Sequence, residues 1–159
     1  MRLSTETPDD KWEVEALFDL AFAPGREALS SYRLRDGVQP VDALSRVLRD
    51  ETGAVAGAVR FWPVRIGEVP ALLLGPIAVH PIHQGEGLGA WLIEESLSIA
   101  DKEWDRVLLV GDAPYYGRFG FQKLDGVIMP APSNPDRVLG RALSPGAWHG
   151  ITGQVLPWT

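Results

Sequence analysis

A single mixed α/β domain is the fold class this sequence predicts, and three observations carry that expectation. The apolar residues recur at helical spacing near the N-terminus, then switch to alternation after residue 43. Residues 71–110 read as strand, loop, helix, strand. The loop of that unit, HPIHQGEGLG (80–89), places three glycines between an apolar run and an amphipathic helix.

Size and composition fit this class. With 159 residues the chain is long enough for one self-sufficient core, so residues 1–159 are read as one domain. Apolar residues make up 45% and charged residues 23%, the balance of an ordinary globular protein. A net charge of -6 argues against a nucleic-acid or anionic-membrane partner. The absence of cysteine excludes disulfides, cysteine-ligated metals and a cysteine nucleophile. No stretch reaches the ~18 apolar residues of a membrane span. The first 15 residues carry no apolar core of signal-peptide length, so the expected location is the cytoplasm.

The elements follow in order. In TPDDKWEVEALFDLAFA, Thr7 can cap a helix, Pro8 suits its first position, and Asp9 and Asp10 favour the positive end of its dipole. Val14, Leu17, Phe18, Ala21 and Phe22 form its apolar face, and Pro24-Gly25 ends it. A second short helix is expected around Ala28–Leu34. ALSRVLRD (43–50) alternates as a strand does, and AVAGAVRFWPVRI (54–66) is rich in β-branched and aromatic residues, so the two suggest a hairpin. ALLLGPIAV (71–79) is apolar on consecutive positions, the mark of a strand covered on both faces. Gly75-Pro76 interrupts it, and proline cannot donate to a ladder, so a bulge or a parting from a neighbour is expected there. A helix runs from Leu88 to about Asp101, RVLLV (106–110) is a short buried strand, and APYYGRFGF holds one helical turn. RVLGRAL (137–143) and GQVLPW (153–158) are the remaining candidate strands.

The glycine loop sits where a strand ends and a helix begins. N–H groups in a helix's first turn lack internal partners and point outward, which suits a phosphate. Glycines used only to make a tight turn explain the same spacing. A nucleoside-triphosphate loop would end in Gly-Lys-Ser/Thr, whereas this one ends in Gly-Leu-Gly. A dinucleotide fingerprint fits better: Gly85 to Ala90 satisfies G-x-G-x-x-A, and Asp112 follows about 20 residues on. Against it, Gly-Pro breaks the preceding strand, and no long β–α–β units follow residue 112.

A third reading begins at Gln84. Gln84-Gly85-Glu86-Gly87-Leu88-Gly89 fits Q/R-x-x-G-x-G/A, and about 30 residues on YYGRFGF fits Y-x-x-x-G-F, with Tyr116 four residues before Gly120. Both motifs, with the intervening helix and strand, resemble the GNAT superfamily of N-acyltransferases over roughly residues 44–121. LVGDAPYYGRFGF also resembles a bacterial subgroup of acetyltransferases in that superfamily.

The resemblance implies a mixed, mostly antiparallel sheet, its central strands splayed and flanked by helices. It implies acetyl-CoA as cosubstrate and no metal. Main-chain groups of Ile77, Ala78 and Val79 would pair with the pantetheine arm, as an added strand does. The amides of Gly85, Glu86, Gly87, Leu88 and Gly89 would hold the pyrophosphate, with Gln84 steadying the loop. Tyr116 would be the acid near the departing sulfur, its phenol titrating near ~10; a packed aromatic with a bonded hydroxyl is the structural alternative. The implied reaction is direct attack of a primary amine, on a small molecule or a peptide, upon the thioester. A silent acyl-CoA-binding or regulatory domain is the alternative, and a dinucleotide-dependent oxidoreductase stands third.

The base has no clear candidate, since ALLLGPIAV carries no carboxylate. His80, His83, Glu68, Asp112, His149 and water remain open. Arg118 is a candidate cation for the 3′-phosphate, or a surface residue. Tyr32, Phe61 and Trp148 fit an apolar acceptor site, core packing or a homodimer contact equally well. Trp62 and Trp91 are expected in the core.

Overall fold

The structure, a computed structural model, describes residues 1–22 and 30–158. The expected stop at Pro24-Gly25 and the first part of the helix around Ala28–Leu34 lie outside these residues. Ser30–Leu34 forms a short 3-10 turn.

Nine strands and three helices make up the described chain. The strands are β1 (Arg2–Thr5), β2 (Arg46–Arg49), β3 (Val55–Ile66), β4 (Val69–Val79), β5 (Arg106–Val110), β6 (Gln122–Lys123), β7 (Val127–Ile128), β8 (Val138–Ala142) and β9 (Gly153–Pro157). The helices are α1 (Lys11–Ala21), α2 (Leu88–Ala100) and α3 (Ala113–Gly117). The main sheet runs β1-β2-β3-β4-β5-β8-β6, with β9 attached to the end of β3 and β7 beside β9. Every pairing is antiparallel except β4 with β5 and β7 with β9. The expected mixed, mostly antiparallel sheet is therefore present, flanked by helices.

Sequence alone missed β1, β6 and β7. The two-residue strands β6 and β7 are too short for alternation to show. β1 exists because β2 gives it a partner, Leu3 lying opposite Leu48. The start of α1 departs in part from the expected chemistry, since Pro8 opens a 3-10 turn ahead of the helix and Asp10, not Thr7, sits at its N-cap. Thr7 precedes a 3-10 turn, Pro8–Asp10, and the Asp10 carboxylate accepts the Thr7 amide at 2.8 Å. That bond, with Arg49 at 2.6 Å, holds the Asp10 carboxyl below its usual range.

Helices cover both faces of the central hairpin. On one, Val14, Leu17 and Phe18 of α1 pack on Val47, Ala58 and Ala78. On the other, Leu88, Leu92 and Ile93 of α2 pack on Leu48, Val59 and Leu74. Leu92 and Ile93 are fully buried, and each such side chain contributes about 1.5–3 kcal/mol. A third cluster, with Trp62, Val64, Leu73 and Val155, closes the end where β9 attaches.

Two irregularities shape the middle of the sheet. Phe61 pairs with Leu74 and Val59 with Ile77, so Arg60 alone faces Gly75 and Pro76. This is the bulge that Gly-Pro announced. Gly75 sits at φ +140°, where a Cβ is disfavoured, and its carbonyl accepts the Trp62 indole N–H at 2.8 Å. Arg60 braces the bulge from the α1 side, donating to Glu6 at 2.9 and 3.0 Å and to Glu15 at 2.8 Å.

The second irregularity lies between β4 and β5. They pair only at Leu72–Val107 and Leu73–Leu108, although β4 runs on to Val79 and β5 to Val110. Beyond the bulge the two strands part. Residues 77–79 are laddered to β3 on one side, with no strand of the described residues on the other.

Candidate active site

The gap between β4 and β5 leads into two adjoining clefts. One, of about 530 Å³, runs along Ile77–Val79 to the loop at Gln84–Gly89. The other, of about 480 Å³, lies between the bulge at Gly75-Pro76 and the segment Leu109–Asp112. Phe22, Ile77, Tyr115 and Tyr116 border both.

Along Ile77–Val79 the polar groups that the first cleft meets are backbone. The His80 N–H donates to Ala56 at 2.8 Å. Antiparallel alternation then assigns the amide groups of Ala78 to Ala58 of β3. The same alternation turns those of Ile77 and Val79 toward the gap. The Val79 carbonyl is already engaged, because it accepts the Gln84 side-chain amide at 2.9 Å. Gln84 thus ties the loop back to the strand it leaves.

The loop ends at α2, whose first turn no side chain caps. Gly85 and Gly87 adopt φ +84° and +78°, a conformation L side chains resist, and open space lies where their Cβ atoms would be. Gly89 has a different reason. A Cβ there would meet the Tyr115 hydroxyl at 3.3 Å. Leu88 is buried and packs in the core cluster. The cleft therefore combines bare N–H groups, a positive helix end and an open approach, which suits an anion.

Glu86 does not line this cleft. Its carboxylate is 3.0 Å from His83 Nδ1, and His83 Nε2 is 3.4 Å from Asp50. Glu86, and then Asp50, raise His83 above its ordinary value. Arg118 does border the cleft, its guanidinium 4.7 Å over the Tyr115 ring.

Tyr116 stands at the junction of the clefts. Its ring lies so close to Gly111 that a Cβ there would come within 2.5 Å. Tyr115 and Phe121 pack edge-on against it, at 4.9 and 6.0 Å between centroids. Burial, with Tyr115 adding to it, pushes the hydroxyl up to about 12 rather than the ordinary ~10. The phenol therefore keeps its proton throughout the neutral range.

The second cleft is built from side chains. Tyr32 and Arg35 reach it from the 3-10 turn, with the Arg35 guanidinium 3.8 Å over the Tyr32 ring. Asp112 and Arg137 supply the charges of the opposite wall. Asp112 also caps α3, accepting the Tyr115 amide at 3.1 Å.

The base candidates separate cleanly. Asp112 lines the second cleft and His83 the first. The His80 ring accepts the Ile82 amide at 3.2 Å beside the loop. Glu68 sits in the β3–β4 turn, and His149 borders a different hollow beside β6 and β8. Of the aromatic acceptor-site candidates, Tyr32 alone lines the cleft. Phe61 is fully buried in the core, and Trp148 packs in the third cluster. Trp62 and Trp91 pack on the core as expected. Among the described residues no cluster of three His, Asp or Glu could hold a metal, and no helix is long and apolar enough to cross a membrane.

Known proteins share this architecture. Residues 43–123, about half of the chain, match the family model for the acetyltransferase (GNAT) domain. The GNAT family N-acetyltransferase YhbS from Escherichia coli, solved in complex with CoA, has a TM-score of 0.85 and 28% identity. That match covers 99% of this chain and 89% of the other. A GNAT family acetyltransferase from Brucella melitensis, in complex with acetyl-CoA, has a TM-score of 0.73 and 27% identity, covering 99% and 96%. Naa20 from Chaetomium thermophilum, in complex with a bisubstrate analogue, shares the fold at 14% identity with a TM-score of 0.67, each chain covered in full (100%). No curated protein matches the chain.

Proposed function

As the chain belongs to the acetyltransferase (GNAT) family, we propose that it transfers the acetyl group of acetyl-CoA to a primary amine by direct attack. The observation that carries this reading is the parting of β4 from β5 after Leu73, directly beside the uncapped start of α2. One strand-shaped slot and one anion site then lie in line. Ile77 and Val79 offer main-chain groups to the pantetheine arm, the amides from Gly85 to Gly89 take the pyrophosphate, and Arg118 lies within reach of a further phosphate. Two relatives above 25% identity were solved with CoA or acetyl-CoA, which supports this cosubstrate.

In the proposed reaction the amine lone pair attacks the thioester carbonyl carbon and the C–S bond breaks. The sulfur leaves as the CoA thiolate, to which Tyr116 donates a hydrogen bond, and the proton shed by the nitrogen as the amide forms passes to water. With the phenol near 12 and a free thiol near ~8.5, proton transfer is uphill even to the finished thiolate. The hydroxyl therefore acts as a hydrogen-bond donor, and the thiolate takes its proton from solvent. Asp112 is the carboxylate among the described residues of the second cleft, and it takes the proton of the incoming ammonium, directly or through water.

Calorimetry with acetyl-CoA and with free CoA, followed by thiol-release assays over a broad panel of amines, tests the proposal. Binding together with amine-dependent thiol release is expected. Binding without transfer to any amine would leave a silent acyl-CoA-binding domain, and no binding at millimolar coenzyme would end the reading. The dinucleotide alternative loses its basis, since β4 and β5 are the one parallel pair of the main sheet among the described residues.

A further inference from the structure

The second cleft holds one charged group that nothing in the described protein uses. Arg137 lies at the end of a short turn, Pro135–Arg137, just before β8. Its backbone is pinned at both ends. Its N–H donates to Asn134 at 2.9 Å, and its carbonyl accepts from Gly111 at 2.9 Å. Gly111 is also the residue against which the Tyr116 ring packs. Arg137, Gly111 and Tyr116 therefore form one rigid corner. The Arg137 side chain is exposed, lines the cleft and makes no hydrogen bond or ion pair. Its neighbours Lys123 and Asp136 pair with each other instead, at 2.9 Å. Its charge is felt at the Tyr116 hydroxyl, where it opposes the upward push of burial.

Asp112 lines the same cleft with the opposite charge, and its charge too is felt at the Tyr116 hydroxyl. A cleft that presents the Asp112 carboxylate and, beside Tyr116, the Arg137 guanidinium, with the Arg35 guanidinium stacked on Tyr32, suits a ligand carrying both an ammonium and an anion. We propose, resting on the acetyltransferase reading above, that the acceptor amine carries its own carboxylate, as an amino acid does, and that Arg137 binds that carboxylate. The match is to a singly charged group. A guanidinium pairs with a carboxylate through two parallel hydrogen bonds. A phosphate dianion would bring a second charge beside Asp112, and like charges at short range repel. Tyr32, Tyr115 and Phe22 give the remaining wall an aromatic character that favours an apolar substituent on the acceptor.

The test compares matched amines under saturating acetyl-CoA. Each set contains an amino acid, its carboxamide and its decarboxylated amine, beginning with phenylalanine, methionine and leucine. Wild type is expected to favour the amino acid by at least ~10-fold in kcat/KM. Arg137→Gln is expected to collapse that ratio toward one, chiefly through KM for the acceptor. Arg137→Lys is expected to restore part of it, because the charge survives without the two-pronged geometry. Calorimetric titration of the amino acids into protein holding free CoA gives a readout independent of turnover, and the same loss is expected there. Transfer to amines with a ratio of one in wild type, or with the ratio unchanged in Arg137→Gln, overturns this inference and leaves the acetyltransferase reading standing. Coenzyme binding with no transfer to any amine overturns both.

Discussion

The two clefts that meet at Tyr116 are built in opposite ways. The first draws its polar groups from the backbone of one continuous stretch, Ile77 to Gly89, and asks of its residues mainly that they lack side chains or turn them away. The second gathers side chains from separated segments: Tyr32 and Arg35, Gly75 and Pro76, Leu109 to Tyr116, and Arg137. A backbone site tolerates many side-chain changes but few conformational ones. A side-chain site has the reverse sensitivity. The first arrangement fits a cosubstrate that does not vary, and the second fits an acceptor that must be told from others.

Substitutions that separate the clefts sharpen this contrast. The largest effect is expected at their shared wall. Tyr116→Phe removes the proposed hydrogen-bond donor to the sulfur and keeps the ring that packs on Gly111, so kcat is expected to fall about 100-fold. The dissociation constant for acetyl-CoA should hardly change. Steady-state kinetics paired with calorimetry reads both, and undiminished turnover would remove the tyrosine from the mechanism.

A smaller effect is expected in the backbone cleft. Gly87→Val forces a β-branched residue into φ +78°, a cost of about 1–2 kcal/mol. The loop can escape it only by shifting its amides. Coenzyme affinity should fall about 10-fold, while the relative preference among acceptors stays as in wild type. Altered acceptor preference without weaker coenzyme binding would break the proposed division between the clefts.

The smallest effect concerns the rim of the loop. His83 is raised above its ordinary value of 6.5 by Glu86 and then Asp50, so the protonated form is the one the fold favours. The stabilisation is complete below about pH 6.5 and fades as pH rises through the higher folded value. Asp50 is held down to about 2, first by the Thr52 hydroxyl, so it stays charged across this window. Thermal melts of wild type and His83→Gln from pH 5 to 9 should differ by no more than about 2 °C at the acid end and converge at the alkaline end. A gap that widens with pH would show that His83 acts as a neutral group.

Much of the first cleft was legible in the sequence. The interruption of ALLLGPIAV, the glycines after it and the helix period from Leu88 are each local signals. They correctly placed a bulge at Gly75-Pro76 and a helix start after the loop. The residue-by-residue assignment needed the sheet. Only the register shows that Ala78 faces β3 while Ile77 and Val79 face the gap. Only the fold shows that Glu86 is drawn to His83 and away from the cleft.

The second cleft was barely legible. Tyr32 was a candidate alongside Phe61 and Trp148, because nothing in a lone aromatic residue says whether its ring faces a core or a cleft. Arg137 carried no signal at all. It lies beside Tyr116 through the pairing of β5 with β8, where Val110 meets Val138. The phenol's upward shift was equally hidden, because burial comes from residues distant in sequence.

What the sequence determined by itself is whatever depends on neighbours along the chain: the period of each helix and strand, the backbone freedom at residues 85 and 87, the Gly-Pro pair that interrupts a ladder. Hydrogen bonding within an element and steric limits on φ act over a few residues, so they are written locally. Tertiary structure decided which faces are covered, where two strands part, and which charges meet across the cleft. Those outcomes depend on packing between distant segments, and no short stretch of the chain holds that information.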